Sequence, residues 1–153
     1  KLENGRSVCR CTDRQIDMYR QRISGPLLDR IDIHMDVAPV EYADLVNKKP
    51  GEPSATIRER VNAARKRQLE RFRDDGVFTN ARMRARQVQE FCRPDREGHA
   101  LLEHAMATLG LSARAYHKVL KVARTIADLD ESETMTADHI AEAIQYRSLD
   151  RKL

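Results

Sequence analysis

The sequence predicts a mainly α-helical bundle preceded by a short helix-plus-strand segment. Two observations carry this. Beyond position 54 the apolar residues recur at spacings of three and four, the period of helices with one packed face. Only one stretch, Ile31–Val37, alternates apolar and polar residues, as a strand with one buried face does. Charged residues make up 34% of the 153-residue chain and aromatics 5%, with no tryptophan, which suits a well-solvated helical protein with a thin aliphatic core. No apolar run approaches the roughly 20 residues of a membrane span, so no membrane association and a cytoplasmic location are expected.

The elements follow in order. Thr12 and Gln15 form a capping-box pattern, and Ile16, Tyr19 and Ile23 share one face of a helix running to about Arg22. Gly25-Pro26 stops it, and the strand Ile31–Val37 follows. Residues 38–53 contain three prolines and Gly51 and read as a linker. Ser54 caps the next helix, whose stripe is Ile57, Val61, Ala64, Leu69 and Phe72, with Asp74-Asp75-Gly76 closing it. A weaker helix covers Ala81–Phe91. Another holds Leu101, Leu102, Ala105, Met106 and Leu109 and ends at Gly110.

The central helix starts at a Ser112 cap. Ala115, Val119, Val122, Ile126 and Leu129 form its stripe, widened by Leu120, Ala123 and Ala127. Its remaining face carries Arg114, Lys118, Lys121 and Thr125, and Arg124 pairs with Asp128 one turn on. The last helix starts at Thr136 and buries Ile140, Ala141 and Ile144.

The net charge of +4 is uneven: residues 56–96 carry twelve basic against six acidic side chains. Such a region attracts nucleic acid through counterion release, although a solvated arginine-rich helix face accounts for most of these residues singly. Three cysteines without a secretion signal argue against a disulfide framework. Cys9 and Cys11 are close enough to supply half of a zinc site, but tetrahedral zinc needs about four ligands, so no metal site is expected in this chain. His34, on the polar face of the strand, and the other histidines show no metal spacing and read as surface or boundary residues.

Asp29-Arg30 lies at a short junction between helix stop and strand. A guanidinium held there matches two phosphate oxygens and keeps its charge. On spacing alone, a surface ion pair with Asp29 or Asp32 accounts for it better. Arg114, in the first turn of its helix, stands beside exposed backbone N–H groups, a combination that favours anions. Taken alone, it too reads better as a solvated side chain.

The block Ile23-Ser-Gly-Pro-Leu-Leu-Asp-Arg-Ile-Asp32 resembles the end of the ATPase core in magnesium-chelatase-like AAA+ proteins, most closely the competence-associated ComM/YifB type. Gly110–Leu129 and His139–Arg147 resemble that family's C-terminal helical lid, in the same order. The resemblance implies that residues 1–45 are the C-terminal end of the αβα core and residues 46–153 the lid. It makes Arg30 the arginine finger, acting in trans on a neighbour's ATP, and Arg114 the sensor 2 residue that reads the terminal phosphate. Asp29 becomes a supporting residue that orients Arg30 or pairs at the subunit seam.

The chain has no Gly-x-x-x-x-Gly-Lys-Ser/Thr loop, since its glycines at 5, 25, 51, 76, 98 and 110 cannot form one. The resemblance therefore implies the C-terminal part of a longer ATPase that uses ATP and Mg²⁺, with none expected bound to this part alone, which should not hydrolyse ATP. The whole protein is expected to be a homohexameric DNA helicase or branch-migration motor in natural transformation. The alternatives are a stand-alone helical DNA- or protein-binding module and an ATPase subunit of a metal chelatase.

Overall fold

A computed structural model of the chain describes residues 2–3, 6–7, 11–20, 22–23, 25–35, 37, 40, 42–46 and 50–147. The element order is β1 (Leu2–Glu3), β2 (Arg6–Ser7), α1 (Asp13–Arg20), α2 (Gly25–Leu28), α3 (Tyr42–Val46), α4 (Ser54–Arg71), a 3-10 turn (Asn80–Arg82), α5 (Ala85–Phe91), α6 (Arg96–Leu109), α7 (Ala113–Leu129) and α8 (Ala137–Gln145). The fold is mainly α, as expected. The two-residue strands β1 and β2 form a small antiparallel ladder pairing Leu2 with Ser7.

α7 is the hub. It packs against α4, α5, α8 and the 3-10 turn, while α6 packs on α8. Its Ala115, Val119, Leu120, Ala123 and Ala127 are buried with Phe72 of the α4 C-cap, Val88, Leu102, Met135, Ile140 and Ile144. Burying a side chain such as Val119 or Leu120 stabilises by about 1.5–3 kcal/mol, so α7 carries much of the core's driving force. Ser112 caps it by accepting from the Ala115 N–H at 3.1 Å. α6 starts at Asp95, which accepts from Gly98 N at 2.7 Å, and ends at Gly110 in the left-handed region (φ 62°). On α8 the buried residues are Ile140, Ala143 and Ile144, whereas the expected Ala141 stays half-exposed.

Five local expectations are corrected. The Ile31–Val37 stretch is not a strand among its described residues. Strands need a neighbouring ladder, and here the pairing is a single backbone bond, His34 N to the Tyr146 carbonyl at 2.7 Å. Ile31, Ile33, Met35 and Val37 stay exposed, while His34 is buried, not a surface or boundary residue. Ser54 is the first helical residue of α4 rather than its cap; Pro53 holds that position, with no side-chain cap bond. Of the α4 stripe only Ala64 and Phe72 are buried, because the helix's first half runs clear of the bundle and leaves Ile57 and Val61 exposed. The expected 81–91 helix is broken at Met83, where ψ is 135°. Two shorter elements also replace simpler expectations: Gly25-Pro26 opens the helical turn α2, and α3 forms inside the expected linker.

Candidate functional site

The site forms where the chain after α2 crosses the start of α7. Leu28 is buried and anchors the α2 turn, whose hydrogen bonds continue through Asp29 N to Gly25 O, Arg30 N to Leu27 O and Ile31 N to Leu28 O. This leaves Arg30 exposed, with its guanidinium donating to the Pro26 carbonyl at 2.9 Å. That bond fixes one end of the planar group and leaves its other donors available.

The 29–34 segment is tied down at several points. Ser112 Oγ donates to the Asp29 carboxylate at 3.1 and 3.2 Å. Lys118 forms an ion pair with Asp32. Arg147, at the end of α8 and almost fully buried, donates to the Ile31 carbonyl and lies 3.8 Å from Asp29 Oδ1. A segment with no strand ladder is thereby held against the bundle by side chains.

Arg114, His117, Lys118 and Lys121 sit at i, i+3, i+4 and i+7 along α7 and form one face. With Ala113 and Arg30 they line a cavity of about 560 Å³. Four of the six lining residues are lysine or arginine, and none is acidic. Lys118 is engaged by Asp32, and Lys121 donates to the Ala81 carbonyl at 3.1 Å. Arg114 has no hydrogen bond or ion pair among the described residues. The cavity thus combines one uncommitted guanidinium, one partly committed one and the N-terminal end of a 17-residue helix. Such a set matches the oxygens of a phosphate group.

A second cavity, reached by Arg67, Arg71, Arg93 and Arg124, is also lined by Glu70, Glu90 and Glu133. Its deepest arginines are already used. Arg71 and Arg124 both bind Asp128, and Arg124 also donates to the Ser132 and Glu133 carbonyls. The expected Arg124–Asp128 pair is present, at 3.1 Å. Burial alone would raise the Asp128 carboxyl, but hydrogen bonds from Arg71 and Asn80 and both arginine charges hold it below its ordinary range. Burial lowers the Arg124 guanidinium. This network is structural.

Cys9 lies outside the described residues, so the Cys9/Cys11 half-site is left without a geometry. Among the described residues, no group of three or more His, Cys, Asp and Glu is placed to hold a metal ion. No helix among them is long and apolar enough to cross a membrane. Sequence reasoning picked out Arg30, Arg114 and Asp29 but missed the Ser112–Asp29 contact and the buried Arg147. Both depend on approaches between residues far apart in the chain, for which the sequence carries no local signal.

The architecture is a helical bundle with a basic site where a preceding segment crosses its central helix. Residues 51–147 match the family model for the C-terminal region of magnesium chelatase subunit ChlI, and residues 1–45 match that for magnesium chelatase subunit ChlI. The chain belongs to the magnesium chelatase ChlI family. YifB of Escherichia coli K12 is 42% identical over 146 residues, 94% of this chain and 28% of that protein. Competence protein ComM of Haemophilus influenzae is 39% identical over 145 residues, with the same coverages, and Rv2897c of Mycobacterium tuberculosis is 30% identical over 139 residues, 91% of this chain and 27% of its own length. The chain therefore spans under a third of these relatives.

Proposed function

We propose that this chain is the C-terminal part of a longer AAA+ ATPase, residues 1–45 ending its core and 46–153 forming its lid. In this reading Arg30 is an arginine finger, Arg114 is sensor 2, and both act on the terminal phosphate of ATP. The observation that carries the reading is their convergence on one cavity with no acidic lining residue. Two arginines on one cavity serve one phosphate. If Arg30 reaches across a subunit boundary, Arg114 therefore acts on that same neighbour's nucleotide. The residues present fit phosphate oxygens and not Mg²⁺, since no carboxylate lines the cavity. The magnesium ligands and phosphate loop then come from outside this chain, which has no activity alone.

The likeness to ComM, a competence protein by name, favours a cytoplasmic, homohexameric, ATP-driven DNA motor over a porphyrin-metallating subunit. The decisive experiment uses the longer protein. Arg30→Ala should abolish most hydrolysis with nucleotide binding retained, because a finger acts on charge that develops during phosphoryl transfer, an effect of about 10³–10⁵ in rate where isolated. Arg114→Ala should lower turnover and weaken nucleotide affinity. Mixing Arg30→Ala subunits with subunits lacking the phosphate-loop lysine should restore activity at seams where an intact finger meets an intact nucleotide site. Wild-type turnover by both folded, assembled single variants would sink the assignment.

A further inference from the structure

We infer that Asp29 is a positioning residue that acts through Ser112: the pair latches the Arg30 turn to the start of α7 and sets the distance between Arg30 and Arg114. This deepens the phosphate-site reading above and rests on it. Asp29 is the immediate neighbour of Arg30, yet its carboxylate reaches the Ser112 hydroxyl, 83 residues away, at 3.1 and 3.2 Å. The Arg30 guanidinium is held instead by the Pro26 carbonyl of its own turn.

Ser112 uses both capacities of its hydroxyl, one donor and an acceptor lone pair. It donates to Asp29 and accepts from Ala115 N at 3.1 Å. One side chain therefore starts the helix that bears Arg114 and grips the turn that bears Arg30. Asp29 also places negative charge at the helix start, offsetting the unfavourable position of Arg114 in the first turn. Without the latch, the 29–34 segment has no strand ladder to hold it. Its other ties are Lys118 to Asp32, Arg147 to Ile31 and His34 N to the Tyr146 carbonyl, all beyond Arg30, and a longer 3.8 Å approach of Arg147 to Asp29 itself. Loss of the contact then lets the two arginines drift apart.

The test uses the longer ATPase. Asp29→Ala removes the acceptor. Ser112→Asp keeps a good helix cap but sets two carboxylates against each other. Each should lower kcat roughly 10–100-fold, the scale of an ångström-sized misplacement, with KM for ATP unchanged. The swap Asp29→Ser with Ser112→Asp restores a hydroxyl–carboxylate pair and should recover most of the loss. In the Arg30→Ala background, Asp29→Ala should lower kcat little further, because the residue it positions is gone.

Thermal unfolding of each variant identifies any that fails to fold; Asp29→Ala, at a half-exposed position, still answers if Ser112→Asp does not. If Arg30→Ala and Arg114→Ala lower turnover but Asp29→Ala does not, or if the swap stays as impaired as Ser112→Asp, the latch is wrong and the phosphate site stands. If neither arginine matters, the phosphate site fails, and the latch as a positioning device fails with it.

Discussion

Arg71 and Asp128, 57 residues apart in sequence, form a two-point ion pair that ties α4 to α7. Asp128 has no solvent exposure, and its oxygens also accept from Asn80 Nδ2 at 2.7 Å and Arg124 Nε at 3.2 Å. One carboxylate thus joins α4, the 3-10 turn and the C-terminal part of α7.

Removing that carboxylate takes the shared counter-charge from two guanidiniums that keep only neutral hydrogen-bond partners, Asn80 for Arg71 and the Ser132 and Glu133 carbonyls for Arg124. Asp128→Ala should cost about 3–5 kcal/mol, the range for breaking a buried pair, measurable by urea denaturation. The acid side gives a second readout. Because folding lowers the Asp128 carboxyl below its ordinary 3.8, its contribution is fully present above that value and is lost as pH falls through the depressed one. Wild type should therefore lose stability below about pH 4 in a way that Asp128→Asn does not.

Cys92 responds at the opposite end of the pH scale. Burial pushes its thiol up to about 12, against an ordinary 9.0. The unfolded chain releases that proton first, so stability should fall as pH rises above about 9 and keep falling towards 12. Cys92→Ala should flatten the alkaline decline while lowering stability at neutral pH through the cavity it leaves. At neutral pH the folded thiol should resist a thiol reagent that modifies the denatured chain.

His34 is buried, and neither ring nitrogen has a hydrogen-bond partner. An unsatisfied buried polar group costs about 1–3 kcal/mol, so His34→Leu should leave stability unchanged or raise it. The usual expectation for a buried polar-to-apolar exchange is met only when bonds are lost. A loss of more than about 1 kcal/mol in urea denaturation would mean the ring makes bonds in solution.

Two turns test backbone handedness. Gly110 has φ 62°, with open space where a Cβ would stand, so the cost of Gly110→Ala is conformational, about 1–2 kcal/mol. Glu131 has φ 55° just past the end of α7, where Ser132 N bonds to the Ala127 carbonyl at 2.8 Å. Glycine suits that position, so Glu131→Gly should stabilise, by up to about 1 kcal/mol, offset slightly by its distant 3.9 Å pairing with Arg67. Opposite shifts in thermal midpoint check both.

DNA binding by this chain, if it draws on residues 56–96, should be weak, insensitive to sequence and steeply salt-dependent, because phosphates alone are neutralised. Titrations with unrelated duplexes at two salt concentrations decide it. Tight, selective binding that survives raised salt would favour a stand-alone DNA-binding module.

The sequence by itself determined the parts that depend on near neighbours. The Thr12–Gln15 box, the Ser112 cap, the Gly110 stop, the stripe of α7 and the Arg124–Asp128 pair all involve residues within one or two helical turns, so composition and spacing suffice. Arg30 and Arg114 were legible as candidates because motif order carries that information. Tertiary structure decided which stripe found a partner. Ile57 and Val61 keep helical spacing yet face solvent, and the described residues of the alternating Ile31–Val37 stretch make no ladder while His34 turns inward. It also decided which polar groups meet across 57, 83 or 116 residues: Arg71 with Asp128, Asp29 with Ser112, Arg147 with Ile31. Periodicity says that a face is apolar, but burial and long-range hydrogen bonds require a second surface in the right place, and only the folded chain supplies it.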